Sequence, residues 1–147
     1  MTISEATGAT PSLRVTFVMR SRPCYLAVVR ATVGQLAATA GLEETESRAL
    51  VLAVDEALAN VIRHAYHGRA DGRIELECRA DADQLQFRIL DTGDPPDAAA
   101  ICARQIGSDQ IGGLGTHIIR DVMDTVSYRT SPAGNCFIAA KRFRRQA

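Results

Sequence analysis

The stretch from Ala49 to Tyr66, ALVLAVDEALANVIRHAY, decides the fold. Leu50, Val51, Val54, Ala57, Leu58, Val61 and Ile62 recur at helical spacing and cover so much of the circumference that this helix is expected at the centre of the domain. A helix so apolar should carry polar groups only for a reason. Glu56, Asn60 and His64 stand four residues apart, so on a regular α-helix they line one side and reach the same place. Asp55 points about 100° away and reads as a surface or supporting group.

Upstream, Leu13 to Met19 (LRVTFVM) alternates with the period of a half-buried strand. Pro23 opens a helix whose apolar residues run from Tyr25 to Ala37 and which ends at Gly41. Glu43, Glu44 and Glu46 then cluster where a helix N-terminus favours negative charge, introducing the long helix. Downstream, Gly68 and Gly72 stop that helix. Arg73 to Arg79 and Gln84 to Leu90 both alternate and read as a hairpin, with Asp91 just past its second strand. Residues 92–113 hold Pro95, Pro96, Gly107, Gly112 and Gly113 and are weakly patterned, with only Ala98 to Gln105 able to form a short helix. A connection of that length reads as a lid or binding loop. Gly115 to Asp124 resumes helical spacing, and Val126–Thr130 with Asn135–Phe143 form a closing hairpin. The order predicts an α+β sandwich, with helices packed on one face of a mixed, mostly antiparallel sheet.

The 147 residues suit one domain: a disordered tail over residues 1–12, then a single unit over 13–147. Seventeen basic and seventeen acidic residues cancel, so no global field draws the chain to nucleic acid or to an anionic membrane. Neither a signal peptide nor an apolar run of the roughly 18 residues needed for a membrane span is present, which makes a cytoplasmic location the expectation. Cys24, Cys78, Cys102 and Cys136 show neither CxxC nor zinc-finger spacing, so reduced and mostly buried thiols are expected, with Cys102 of the lid as the one exposed. His67 and His117 have no partner at useful spacing and read as surface or packing residues.

Three short segments carry the chemistry. A carboxylate and a carboxamide one helical turn apart, Glu56 and Asn60, can divide labour: the amide oxygen ligates a hard cation such as Mg²⁺ while the carboxylate takes a proton from a nucleophile. In Asp91-Thr92-Gly93 the carboxylate can accept a hydrogen bond from an exocyclic amine, and the bare glycine leaves room for a flat ring. Gly112, Gly113 and Gly115 precede a helix whose first turn holds Thr116, so backbone amides, the helix dipole and one hydroxyl face an incoming phosphate. The glycine spacing matches neither a Walker loop nor a dinucleotide fingerprint.

In the order Glu56-Asn60-His64-Ala65, Asp91-Thr92-Gly93 and Gly113-Leu114-Gly115, these segments resemble the N-box, G1 and G2 motifs of the GHKL, or Bergerat-fold, ATPases. Within that superfamily the DEALAN-to-HAY helix and the GGLGTHII turn look most like RsbW-type anti-sigma-factor serine kinases. The resemblance implies a Bergerat sandwich with an ATP-Mg²⁺ site. It assigns Asn60 to the metal, Asp91 with Gly93 to adenine, and Gly113, Leu114, Gly115 and Thr116 to the phosphates. Glu56 becomes the catalytic base and His64 a nucleotide contact. It also implies a homodimer that sequesters a sigma factor and phosphorylates a STAS-type anti-anti-sigma partner. Pro95 replaces the second glycine of the usual DxGxG, and Ile111 stands where an arginine is frequent. These two positions keep open an alternative, a non-catalytic ATP-binding module that sequesters a regulator.

Overall fold

Alternation of apolar and polar residues builds the sheet in the computed structural model, which describes residues 12–96 and 114–144. In β2 (Arg73–Ala80), Ile74, Leu76 and Cys78 are buried between more exposed charged residues. In β3 (Gln84–Asp91), Leu85, Phe87 and Ile89 are buried, and the same period carries Asp91 to the buried face. The strand pattern itself thus places a carboxylate at the rim of the core. With β1 (Leu13–Arg20), β4 (Thr125–Ser131) and β5 (Gly134–Arg142) these strands form one sheet in the order β1-β2-β3-β5-β4. The expected mostly antiparallel sheet is antiparallel at every pairing of the described strands. Its register sets Asp91 opposite Asn135, Ile89 opposite Phe137 and Phe87 opposite Ala139.

The helical layer covers one face. A 3₁₀ turn at Pro23–Tyr25 leads into α1 (Leu26–Ala40), and Gly41 ends α1 in the left-handed conformation, φ 85°. Next, α2 (Glu44–Asn60) begins with the Glu43 N–H donating to Glu46 Oε2 at 3.2 Å, which satisfies one of the orphan donors of the first turn. The central position expected for this helix is observed: α2 packs against both α1 and α3 (Leu114–Val122). Leu50, Val54 and Leu58 are essentially fully buried against Val29 and Val33 of α1 and Leu76, Phe87 and Ile89 of the sheet. Each such side chain contributes about 1.5–3 kcal/mol. Asp55 faces α1, where it accepts from Arg30 at 2.9 Å.

Past Asn60 the helix departs from the sequence expectation. Val61–Ala65 form a π-helical turn, closed by the Tyr66 N–H donating to the Val61 carbonyl, five residues back, at 3.1 Å. His67 (φ 52°) and Gly68 (φ 76°) then turn the chain out of the helix. Among the described cysteines only Cys78 is buried; Cys24 is exposed and Cys136 half-buried, contrary to the expectation of mostly buried thiols. Burial, with Glu77 adding to it, pushes the Cys78 thiol up to about 12, which leaves it inert. The short helix expected at Ala98–Gln105, residues 97–113 of the lid expected over 92–113, and Cys102 lie outside the described residues. No helix among the described residues is long and apolar enough to cross a membrane.

Candidate active site

The polar face of α2 supplies one half of the site. Glu56 and Asn60 are both half-buried, one turn apart, and a third residue joins them: Arg63 Nη2 donates to Glu56 Oε1 at 2.6 Å and to Asn60 Oδ1 at 2.9 Å. The expected alignment of Glu56, Asn60 and His64 assumed a regular α-helix; the chain instead widens into the π-helical turn Val61–Ala65, in which His64 is exposed. Arg63 was not singled out in the sequence, although its spacing of seven from Glu56 and three from Asn60 is one-face helical spacing.

The other half is built at the end of β3. Asp91 is 5% exposed, and its Oδ1 accepts from the Gly93 N–H at 3.0 Å and from Asn135 Nδ2 at 2.8 Å. Asn135, itself buried, also donates to the Gly93 carbonyl at 3.0 Å, so a single carboxamide fixes both Asp91 and the turn that follows it. Burial raises the Asp91 carboxyl above its ordinary value, and the hydrogen bonds from Asn135 and Gly93 oppose that rise without cancelling it. The result is an acceptor whose position is set before anything binds. Sequence reading did not foresee the bond from Asn135 to Asp91, because it depends on the β3–β5 register; the place of Asn135 on the core face beside Phe137 and Ala139 was the available signal.

Close backbone approach locks this corner together. A side chain at Gly93 would lie 2.5 Å from the Ala65 carbonyl oxygen, and one at Gly134 would lie 2.5 Å from the Asp91 carbonyl oxygen. Packing against Ala65 gives Gly93 a reason that is independent of room for a flat ring. The Asp94 N–H donates to the same Ala65 carbonyl at 2.9 Å, which ties the loop after β3 to the π-helical turn and thereby to α2. Buried Tyr66 completes the joint: its hydroxyl donates to the Arg73 carbonyl and accepts from the Thr92 N–H at 2.9 Å. His67, expected to lack a partner, meets Asp94 Oδ2 at 2.7 Å.

Of the glycine-turn residues, Leu114, Gly115 and Thr116 form the first turn of α3, beside α2, and Gly113 lies outside the described residues. No group of three or more His, Cys, Asp or Glu among the described residues could hold a metal. A cation here would rest on the neutral oxygen of Asn60, with its other positions filled by water and phosphate oxygens. Mg²⁺ accepts that donor set, whereas Zn²⁺ would ask for nitrogen or sulfur. The described residues thus offer a buried carboxylate held by Asn135 and Gly93 at one end and a half-buried carboxylate and carboxamide bridged by Arg63 at the other.

A model of the histidine kinase-like ATPase domain matches residues 19–141. The serine-protein kinase RsbW of Listeria innocua serovar 6a is 32% identical over 126 residues, covering 80% of each chain. The chain belongs to the RsbW group of histidine kinase-like ATPases. A second RsbW relative, the serine-protein kinase of Bacillus licheniformis, is 29% identical over 117 residues, covering 72% of this chain and 71% of its own. The RsbW fold is seen again in the crystal structure of the RsbU and RsbW domains of Rv1364c from Mycobacterium tuberculosis. It aligns over 94% of this chain with a TM-score of 0.61 at 14% identity, and this chain spans 34% of that one. At that identity the likeness speaks for the fold, and the α+β sandwich described above is that of the family.

Proposed function

We propose that this chain is an ATP-dependent protein serine kinase and anti-sigma factor of a partner-switching system. The observation that carries this reading is the pairing of Glu56 with Asn60 on α2, tied through Ala65 to the Asp91 corner, in a chain of the RsbW group. Asp91 accepts from the exocyclic amine of adenine. Asn60 is the protein ligand of Mg²⁺, and Gly113 to Thr116 wrap the phosphates at the start of α3, where free amides and the helix dipole favour them. Mg²⁺, when bound, neutralises charge on the phosphate oxygens. The substrate serine oxygen bonds to the γ-phosphorus as the bond to the β–γ bridging oxygen breaks. The hydroxyl proton passes to a Glu56 carboxylate oxygen, and ADP leaves.

The substrate is a STAS-type anti-anti-sigma protein, the alternative partner is a sigma factor, and the kinase works as a homodimer. Phosphate added to the substrate's contact surface disrupts that complex by charge and desolvation, which frees the kinase for its other partner. The test is transfer of labelled phosphate from Mg-ATP to the cognate STAS partner. Glu56→Ala should reduce transfer by about 10²–10⁴-fold while nucleotide still binds; equal transfer by the variant would remove Glu56 from the mechanism. Ile111 and Pro95 favour the second reading, a binding module without turnover. Tight ATP binding without transfer to the true partner would decide for it.

A further inference from the structure

Arg63 is assigned no part in the reaction above, yet it touches both groups on which that reaction depends. One nitrogen, Nη2, lies 2.6 Å from Glu56 Oε1 and 2.9 Å from Asn60 Oδ1. Its side chain is 55% exposed, against 23% for Glu56, so the guanidinium covers the pair from the solvent side and can leave without disturbing the core. We propose that Arg63 is a placeholder cation, a positioning residue that holds Glu56 and Asn60 in the empty site and yields Asn60 Oδ1 to Mg²⁺ when nucleotide enters. This rests on Asn60 being the metal ligand.

The argument is one of shared ligands. Mg²⁺ coordinates oxygen at about 2.0–2.1 Å in strict octahedral geometry. A guanidinium still donating to that oxygen would sit roughly 4–5 Å from the metal, where two positive charges repel strongly in a half-buried site. One of them must leave, and the exposed arginine is free to swing. The same contact withholds Glu56 Oε1, so while Arg63 is in place that oxygen is unavailable to a serine hydroxyl. Loading of the metal and release of the base are thereby a single event. Between visits of nucleotide the arginine neutralises a half-buried carboxylate.

Competition for one oxygen has a thermodynamic signature. Removing Arg63 must strengthen the metal, and that gain must vanish once the Asn60 oxygen is gone. The measurement is the Mg²⁺ concentration that half-saturates binding of a non-hydrolysable ATP analogue to the intact protein, by calorimetry. Arg63→Gln should lower it by about five- to tenfold, the lower end of ordinary coupling between sites. Arg63→Lys, which keeps the charge, should stay near the parent. Asn60→Ala should raise the Mg²⁺ requirement, and in that background Arg63→Gln should change nothing. If Asn60→Ala raises the requirement while Arg63→Gln leaves it unchanged, the placeholder is refuted and the metal assignment stands. If Arg63→Gln raises the requirement, Arg63 is a phosphate contact and the proposal is overturned. If Asn60→Ala has no effect, the metal assignment fails first and the proposal falls with it. Melting curves of the free Arg63 variants should differ little, because the arginine is more than half exposed and solvent screens its pairing with Glu56.

Discussion

Asp91 and Glu56, the two carboxylates of the proposed site, are held in opposite ways. Asp91 is 5% exposed and fixed by a neutral carboxamide and a backbone N–H, both locked by close backbone contacts at Gly93 and Gly134. Glu56 is partly exposed and paired with an arginine that is itself more than half exposed. The first arrangement is complete without a ligand and can discriminate, because a mismatched base would leave a buried acceptor unmet. The second would rearrange on the proposed arrival of metal and substrate, which suits the proton-accepting role proposed for Glu56. Under the proposed roles, recognition falls where the fold is rigid and chemistry where a side chain can move.

Substitutions that exchange these characters test the contrast. Asp91→Asn should have the largest effect, weakening nucleotide binding by about 100-fold (~2.7 kcal/mol) by calorimetry, since an amide donor would face the adenine amine. The same change should leave the melting temperature at pH 7 unchanged or raised. Loss of stability with affinity retained would reverse the roles given to the two ends. Gly134→Ala comes next, at about 2–3 kcal/mol of stability by denaturant unfolding, because the new methyl meets the Asp91 carbonyl and φ is +138°. Tyr66→Phe should cost about 1–2 kcal/mol, leaving the Thr92 N–H and the Arg73 carbonyl without their shared partner.

The smallest effect is the pH dependence carried by Asp91. Its carboxyl is raised in the folded state, so the native protein holds this proton more tightly than the unfolded chain does. Stability from the protonated form is present at low pH and is lost as pH rises from the ordinary value of 3.8 through the raised one. Melting curves of the parent and Asp91→Asn across that window should diverge on the alkaline side, with the parent falling relative to the variant.

Much of this was legible in the chain because it depends on local period. The circumference of apolar residues around α2 placed it at the centre, and alternation in β3 carried Asp91 to the core face. Helical spacing could also have found Arg63, seven residues from Glu56, but attention to His64 followed a regular helix that ends at Asn60. The π-helical turn has no local signature in VIRHA; it lies where the end of the helix meets the loop after β3, through the bond from the Asp94 N–H to the Ala65 carbonyl. Asn135, Tyr66 and His67 acquire partners 44, 26 and 27 residues away in sequence, and no reading of neighbours supplies a register between strands. The exposure of Cys24 likewise follows from where its turn lies on the surface, which composition does not encode.

The bond from Asn135 to Asp91 also sets an order in time. During synthesis, Glu56, Asn60 and Arg63 emerge within seven residues of one another and can meet as soon as their helix forms. Asp91 waits a further 44 residues for Asn135, roughly 2–9 s at ordinary rates of elongation. Through that interval the chain carries Glu56, Asn60 and Arg63 together while the Asp91 carboxylate lacks its carboxamide partner, so the two ends of the proposed site are completed at different times, the second only when the last strand joins the sheet.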